Sequence, residues 1–186
     1  MALPEQCVTS EAMDARLGKP KGWLYRKSGV FQRFVASSES QIDLAEAAAR
    51  QALSEAGLRP ADISLIIFAA AVPYQPIPAT APLLQSRLGI GDGTCMAFDV
   101  NSTCLSFATA LDIAVRLIGA SNINLGKRRA LIVSSELASR ALPWADDPIT
   151  AGLFGDGAAA VLRIQGAVAL GKFSDGIWHG AAPQHG

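Results

Sequence analysis

Apolar residues along the chain fall into blocks that predict buried strands separated by helices. Residues 63–71, ISLIIFAAA, are apolar on both faces, as in a central strand of a parallel sheet that helices cover on both sides. A strand at 94–100 leads into a helix near 104–119, and another apolar strand follows at 129–135. This alternation predicts an α/β fold with a mainly parallel sheet and right-handed crossovers.

The boundaries of the remaining elements carry local signals. Ser40 and Asp43 have the spacing of a capping box, and Gly57 ends the helix that follows them. Apolar runs and turn residues elsewhere in the chain predict a short helix at 80–89 and two strands at 157–164 and 167–173.

The helix predicted near 104–119 is apolar around most of its circumference. Asp112 and Arg116 form its one polar pair, and they lie one helical turn apart. Because an apolar helix surface has to be covered, we expect most of this helix to be buried.

Composition narrows the class of protein. Apolar residues make up 50% of the chain and charged residues 17%, as in a globular protein with a packed core. The 16 basic residues balance 16 acidic ones, which argues against nucleic acid or an anionic membrane as a partner. The apolar run at 65–72 is too short to cross a bilayer, and the first residues lack a secretory signal. The sequence thus predicts a cytoplasmic protein.

The cysteines are not arranged for crosslinking or metal binding. Cys7, Cys95 and Cys104 have neither paired spacing nor a neighbouring histidine. We therefore expect free thiols, with no disulfide and no metal site. His179 and His185 lie in a stretch without periodicity, where flexibility is a better interpretation than metal binding or acid–base catalysis.

A glycine-rich segment at 154–160, FGDGAAA, fits the spacing of a dinucleotide-binding fingerprint. The residues after it have the pattern of a strand followed by a turn, whereas the fingerprint requires a helix there. We therefore interpret Gly155 and Gly157 as residues that let two backbones approach closely. The glycines at 89–93 are interpreted as a turn between a helix and a strand.

Carboxylates follow the strand predicted at 129–135. They belong to Glu136, Asp146 and Asp147, and strand ends in α/β proteins often carry functional groups. Charged side chains beyond a strand are more often solvated, so we interpret these carboxylates as solvated loop charges.

Cys104 falls where an apolar strand gives way to an apolar helix. The partial positive charge of a helix N-terminus favours a thiolate there, and free N–H groups can receive an oxyanion on an attacked thioester carbonyl. The carboxyl end of a parallel sheet is also where α/β proteins place ligands. A free cysteine packs equally well as a small buried hydrophobe, and spacing alone favours that alternative.

Two motifs resemble segments of one known family, and their separation along the chain matches the separation in that family. DVNSTCLSFATAL at 99–111 resembles the nucleophile segment of the ketoacyl-acyl-carrier-protein synthase III family in the thiolase superfamily. LFGDGAAAVL at 153–162 resembles that family's glycine-rich strand motif. Residues 3–6, 47–73 and 79–90 are similar to family segments in the same order.

The resemblance implies a thiolase-like fold and a domain organisation. Residues 1–174 would form the N-terminal half of the family's duplicated architecture, and residues 175–186 would be the start of a C-terminal half. The family's catalytic histidine and asparagine belong to that second half, so they are not expected among these residues.

The same resemblance implies the chemistry of Cys104. In the family, this cysteine takes an acyl group from a thioester and passes it to a carbanion formed by decarboxylating a malonyl-type donor, in fatty-acid or polyketide-like biosynthesis. The cysteine's own N–H supplies half of the oxyanion hole, while Asp99 and Asn101 support the loop. The alternative is a truncated, non-catalytic remnant or an acyl-carrier-binding protein.

At the entrance to the implied site, some residues match the family's pattern and others differ from it. Trp23 matches the tryptophan that stacks on the adenine of coenzyme A, and Lys27 falls where an arginine usually binds its phosphates. Arg33 matches one arginine of the family's arginine pattern. Phe31 and Pro148 stand where further arginines are expected, which weakens bidentate recognition of phosphate.

The acyl pocket and the partners are also implied by the resemblance. Ile77 aligns with a bulkier aromatic residue that lines the acyl pocket across the family's dimer interface, which predicts a roomier or differently shaped pocket. The implied substrates are thioesters of coenzyme A or of an acyl carrier protein, with no bound cofactor. A second copy of the chain is the expected partner in a homodimer.

Overall fold

The computed structural model describes residues 1–119, 128–164 and 167–170. The predicted strand at 167–173 is described only to residue 170, and the stretch 175–186 with His179 and His185 lies outside the described residues. None of the helices in the described ranges is long and apolar enough to cross a membrane.

Short helices and strands alternate through these ranges. The helices are α1 (Ser10–Arg16), α2 (Trp23–Ser28), α3 (Gln41–Glu55), α4 (Thr80–Arg87), α5 (Ser106–Gly119), α6 (Ala138–Ala141) and α7 (Pro148–Ala151). The strands are β1 (Cys7–Thr9), β2 (Gln32–Phe34), β3 (Leu65–Ala69), β4 (Met96–Val100), β5 (Arg129–Leu137), β6 (Asp156–Ile164) and β7 (Ala167–Leu170).

The main sheet has five strands in the order β4-β3-β5-β6-β7, and β1 and β2 form a separate antiparallel pair. β3 pairs in parallel with both β4 and β5, as predicted for a central strand. β5 with β6 and β6 with β7 are antiparallel. The α/β class is confirmed, and the sheet is mixed rather than mainly parallel, with two parallel and two antiparallel strand pairs among the described residues.

Helices pack on both faces of the sheet. Ile66 and Phe68 of β3 point into the cluster that contains α3 and α4, whereas Leu65 and Ile67 point into the cluster that contains α5. All of β3 is buried, so its apolar pattern on both faces follows from its central position.

The capping box predicted for α3 is present. The Ser40 hydroxyl accepts a hydrogen bond from the Asp43 N–H, and the Asp43 carboxylate accepts one from the Ser40 N–H. Hydrogen bonds from Ser40 and from Arg87 lower the pKa of Asp43 to about 2. The helix ends before Gly57, which has a φ of 64° that favours glycine.

The expectation that α5 would be mostly buried is wrong for the described chain. Ala110, Ala114 and Ile118 pack against the sheet, but Leu105 just before the helix is 67% exposed and Val115 is 40% exposed. The sheet covers one side of the helix only, and no described element covers the other.

The interpretations of Gly155 and of the turn at 89–93 are confirmed, whereas the nearest neighbour of Gly157 is a side chain rather than a backbone atom. A Cβ on Gly155 would lie 3.0 Å from the Phe34 carbonyl oxygen, and one on Gly157 would lie 3.1 Å from the side chain of Leu3. The segment 89–93 is a turn in which Gly89 and Gly93 have positive φ. The fingerprint spacing therefore reflects close backbone packing.

Candidate active site

Cys104 lies in the turn between β4 and α5, at the carboxyl ends of the parallel strands. The helix begins at Ser106 rather than at Cys104, and the thiol is exposed. The alternative that Cys104 is a small buried hydrophobe is therefore wrong. An exposed thiol beside a helix N-terminus is accessible to a thioester.

The turn is held by a side chain from the first residue of α5. The Ser106 hydroxyl accepts a hydrogen bond from the Ser102 N–H at 2.9 Å, and it lies 2.7 Å from the Thr103 carbonyl oxygen. Thr103 has a φ of 51°, a left-handed conformation that is uncommon for a threonine. The backbone on either side of Cys104 is thus fixed by specific contacts.

Asp99 and Asn101 occupy the supporting positions that the resemblance implies. The Asp99 carboxylate accepts hydrogen bonds from the N–H groups of Thr80 and Ala81, each at 2.7 Å. The Asn101 side chain donates to the Ala71 carbonyl at 2.9 Å. Both residues therefore tie β4 and its turn to the chain that follows β3.

Glu136 is not a solvated loop charge, which corrects the interpretation from the sequence. It is the next-to-last residue of β5, and its half-buried carboxylate accepts a hydrogen bond from the Ala71 N–H. Burial raises the pKa of Glu136, whereas hydrogen bonds from Ala71 and Val72 oppose the increase. Asp146 and Asp147 are exposed, as expected.

A cavity of about 320 Å³ adjoins the same segment from the α3 side. Gln41, Tyr74 and Arg140 are among the residues that line it. The Gln41 side-chain amide donates to the carbonyls of Val72 at 2.8 Å and Ser135 at 2.6 Å. The chain after β3 is therefore held from both faces of the sheet.

The other cysteines are free thiols, as predicted. Cys7 is exposed, whereas Cys95 is partly buried and burial raises the pKa of its thiol to about 11. Among the residues that the structure describes, no cluster of histidine, cysteine and carboxylate side chains could hold a metal ion.

Trp23 and Lys27 lie one turn apart on α2, in the part of the molecule built on β1 and β2. Lys27 is exposed and Trp23 is partly exposed. The Lys19 ammonium lies 5.3 Å from the centre of the Trp23 ring, a cation–π contact that the spacing of the sequence did not reveal. A nucleotide base on that ring would displace or join this ammonium.

Arg33 points into the protein and is only 4% exposed. Its guanidinium donates to the Gly152 carbonyl at 2.7 Å and to the Ser10 hydroxyl at 3.0 Å. Burial lowers the pKa of Arg33, and the charge of Asp14 opposes this change. The structure thus places Arg33 in the interior, separated from the exposed Lys27.

The remaining residues of the implied site lie at the surface. Ile77 follows β3 and is 87% exposed, and Pro148 is the first residue of α7. The tertiary structure brings Asn101 and Glu136 together on Ala71, in the chain after β3. Sequence reasoning missed Glu136, although its position at a strand end was the available signal.

The chain is similar to proteins of one family over most of its length. The family model for 3-oxoacyl-[acyl-carrier-protein (ACP)] synthase III matches residues 98–171. A β-ketoacyl-[acyl-carrier-protein] synthase III from Methylococcus capsulatus is 42% identical over 161 residues, which cover 86% of this chain and 48% of the relative.

Solved structures agree with this match. The 3-oxoacyl-[acyl-carrier-protein] synthase III from Aquifex aeolicus has a TM-score of 0.76 and 35% identity, over 87% of this chain and 50% of that one. The enzyme of that name from Pseudomonas aeruginosa has a TM-score of 0.77 and 33% identity, over 89% and 49%. The chain spans about half the length of the curated relatives it matches. With its thiolase-like α/β fold, it is similar over most of its own length to proteins of the ketoacyl-acyl-carrier-protein synthase III family.

Proposed function

We propose that this chain forms an acyl-enzyme on Cys104, as the acyl-accepting part of an acyltransferase of the ketoacyl synthase III type. The observation that carries the proposal is the exposed thiol in a braced turn at the carboxyl ends of β3 and β4. Its similarity to the family supports the same reaction.

The first step is a transfer between thiols. The Cys104 thiolate attacks the carbonyl carbon of an acyl thioester, the new carbon–sulfur bond forms, and the carrier's sulfur leaves and takes up a proton. Covalent capture divides the overall condensation into two easier steps. The thioester itself supplies the activated acyl group, so this step uses no bound cofactor.

The second step is condensation: a malonyl-type thioester loses CO₂, the resulting carbanion attacks the acyl carbonyl, and the Cys104 sulfur leaves as a thiolate. We propose that this step belongs to fatty-acid or polyketide-like biosynthesis in the cytoplasm. We propose coenzyme A or an acyl carrier protein as the carrier, with Trp23 and Lys27 as contacts at the entrance. Ile77 is proposed to border the acyl pocket from a second copy of the chain, because so exposed an apolar side chain fits an interface.

The test of acyl transfer is a mass adduct on one residue. Purified protein is incubated with acyl-coenzyme A and acyl-carrier thioesters of increasing chain length, and the modified peptide is identified by mass spectrometry. We expect one acyl group on Cys104, lost in Cys104→Ser and kept in the matched variant Cys7→Ser, whose thiol is also exposed. Cys95 should stay unmodified because its raised pKa leaves little thiolate.

Three results would overturn this proposal or part of it. Acylation of Cys7 at the rate of Cys104 would show that exposure alone controls the reaction. Binding of an acyl carrier without any adduct would favour a carrier-binding protein that does not turn over its ligand. Preference for acetyl over longer chains would contradict the altered pocket at Ile77.

A further inference from the structure

We propose that Glu136 is a positioning residue that fixes the Cys104 turn through Ala71 and Asn101. The inference rests on the proposed acyl transfer by Cys104. It concerns a carboxylate that does not itself contact the thioester but controls the backbone around the nucleophile.

The Glu136 side chain lies on the face of the sheet that carries α5. Ala130 and Ile132 of β5 pack in the cluster that contains α5, and alternate residues of a strand share one face. The register between β5 and β6 stays regular through Leu137, so Glu136 continues this row. The carboxylate is therefore on the same side of the sheet as the Cys104 turn.

The first link joins Glu136 to the chain after β3. Its carboxylate accepts the Ala71 N–H, and the Val72 N–H also contributes to its electrostatic environment. A half-buried carboxylate with backbone donors is costly to leave unpaired, since it loses water without another partner. The Glu136 carboxylate therefore holds the Ala71 N–H in a fixed position relative to β5.

The second link joins Ala71 to the nucleophile turn. The Ala71 carbonyl accepts the Asn101 side-chain N–H at 2.9 Å, and the Asn101 side-chain oxygen accepts the Thr103 N–H at 3.0 Å. Asn101 therefore bridges the chain after β3 and the residue immediately before Cys104.

The bridge acts where the backbone needs support. Thr103 has a φ of 51°, a conformation that threonine adopts only when its surroundings hold it. Asn101 is exposed, so its own burial does not fix its side chain, and the Ala71 carbonyl is what orients it. The Val72 N–H, which also bonds to the Glu136 carboxylate, shares its peptide plane with the Ala71 carbonyl, so Glu136 sets the direction of that carbonyl and thereby of the Cys104 turn.

The test compares acyl transfer in Glu136→Ala, Glu136→Gln and a control, Glu5→Gln, which changes an exposed glutamate remote in sequence from the turn. We expect Glu136→Ala to slow acylation of Cys104 at least about tenfold, because a misplacement near 1 Å can cost up to about a hundredfold. Alkylation by iodoacetamide should change much less, since the thiol stays exposed. Glu136→Gln keeps an acceptor oxygen for Ala71 and should restore most of the rate.

A double-mutant cycle separates positioning from general destabilisation. If Glu136 acts through Asn101, Glu136→Ala should have no further effect in an Asn101→Ala background. Effects that multiply would show independent roles and would overturn the proposal. If Glu136→Ala does not fold, judged by far-UV circular dichroism, Glu136→Leu replaces it, because leucine fills the space without an acceptor.

An NMR measurement keeps the inference testable apart from the reaction. In the labelled 186-residue chain, Glu136→Ala should shift the Asn101 side-chain and Thr103 backbone amide signals, and Glu136→Gln should return them toward wild type. Unchanged signals would refute the positioning role even if Cys104 is acylated. Shifted signals in a protein that no thioester acylates would refute the proposed function alone.

Discussion

At the scale of single residues, Cys104 and Arg33 show that exposure decides whether a residue matched by a motif can contact a ligand. Both residues were singled out as site residues from the same resemblance. The structure exposes the Cys104 thiol, whereas Arg33 is 4% exposed and bonded to Ser10 and Gly152. The identity of a side chain was readable from the sequence, but its direction was not.

The interior position of Arg33 predicts a loss of stability when its charge is removed. Arg33→Met should lower the free energy of unfolding by about 2 kcal/mol, because the buried Gly152 carbonyl and Ser10 hydroxyl would lose their hydrogen-bond donor. Urea unfolding measures this change. The matched control is Arg26→Met, which changes an exposed arginine of α2. It should change the free energy of unfolding by less than about 0.5 kcal/mol.

The opposite outcome would restore the role implied by the resemblance. An Arg33→Met protein with an unchanged urea midpoint and a weakened affinity for coenzyme A would place the guanidinium on the phosphates. Equal loss of stability in the Arg33 and Arg26 variants would show that the burial of Arg33 has no special cost.

At the scale of elements, local signals located α3 and β3 well. The capping box at Ser40 marks the start of α3, and the apolar run at 63–71 contains β3. α4 has no such signal, because Ala79 at its N-cap makes no side-chain hydrogen bond. Asp99 supplies that cap from β4, so a residue distant in sequence completes the helix.

The cap from β4 predicts a specific loss of stability in Asp99→Asn. An amide can accept only one of the two N–H groups well, so we expect a loss of about 1 kcal/mol in the free energy of unfolding. Thermal or urea unfolding measures it. The control Asp92→Asn changes an exposed aspartate in the turn before β4 and should leave stability nearly unchanged. Equal effects of the two variants would contradict the assigned cap.

At the scale of the whole molecule, several apolar groups lack cover from the described residues. Met96 lies on β4, at one edge of the five-stranded sheet, and is 42% exposed. Ile77 and Leu105 are more exposed still. Apolar surface of this kind is typical of an interface.

This surface predicts that the chain associates at micromolar concentration, with a second copy or with a further segment of the family fold. Ile77→Lys should weaken self-association at least about tenfold, since burying an ammonium in an apolar contact costs more than about 1.4 kcal/mol. Sedimentation velocity measures the association. Ala47→Lys on the exposed side of α3 is the control. A wild-type protein that sediments as a monomer would contradict the prediction.

The sequence by itself determined the elements whose signals are local. The capped α3, the buried β3 and the glycines that permit close packing were all predicted, because hydrophobic period, capping and φ preference act within a few residues. The resemblance of the segments around Cys104 and Gly155 also located the family and the candidate nucleophile before any coordinates.

Only the tertiary structure decided which side chains meet. Glu136, Ala71 and Asn101 are far apart in sequence, and strand order brings them together at the carboxyl ends of β5, β3 and β4. The interior position of Arg33 and the exposed side of α5 have the same origin, since burial depends on which element packs against which. Sequence patterns specify the period of a helix or strand, whereas long-range packing fixes the partner on each face.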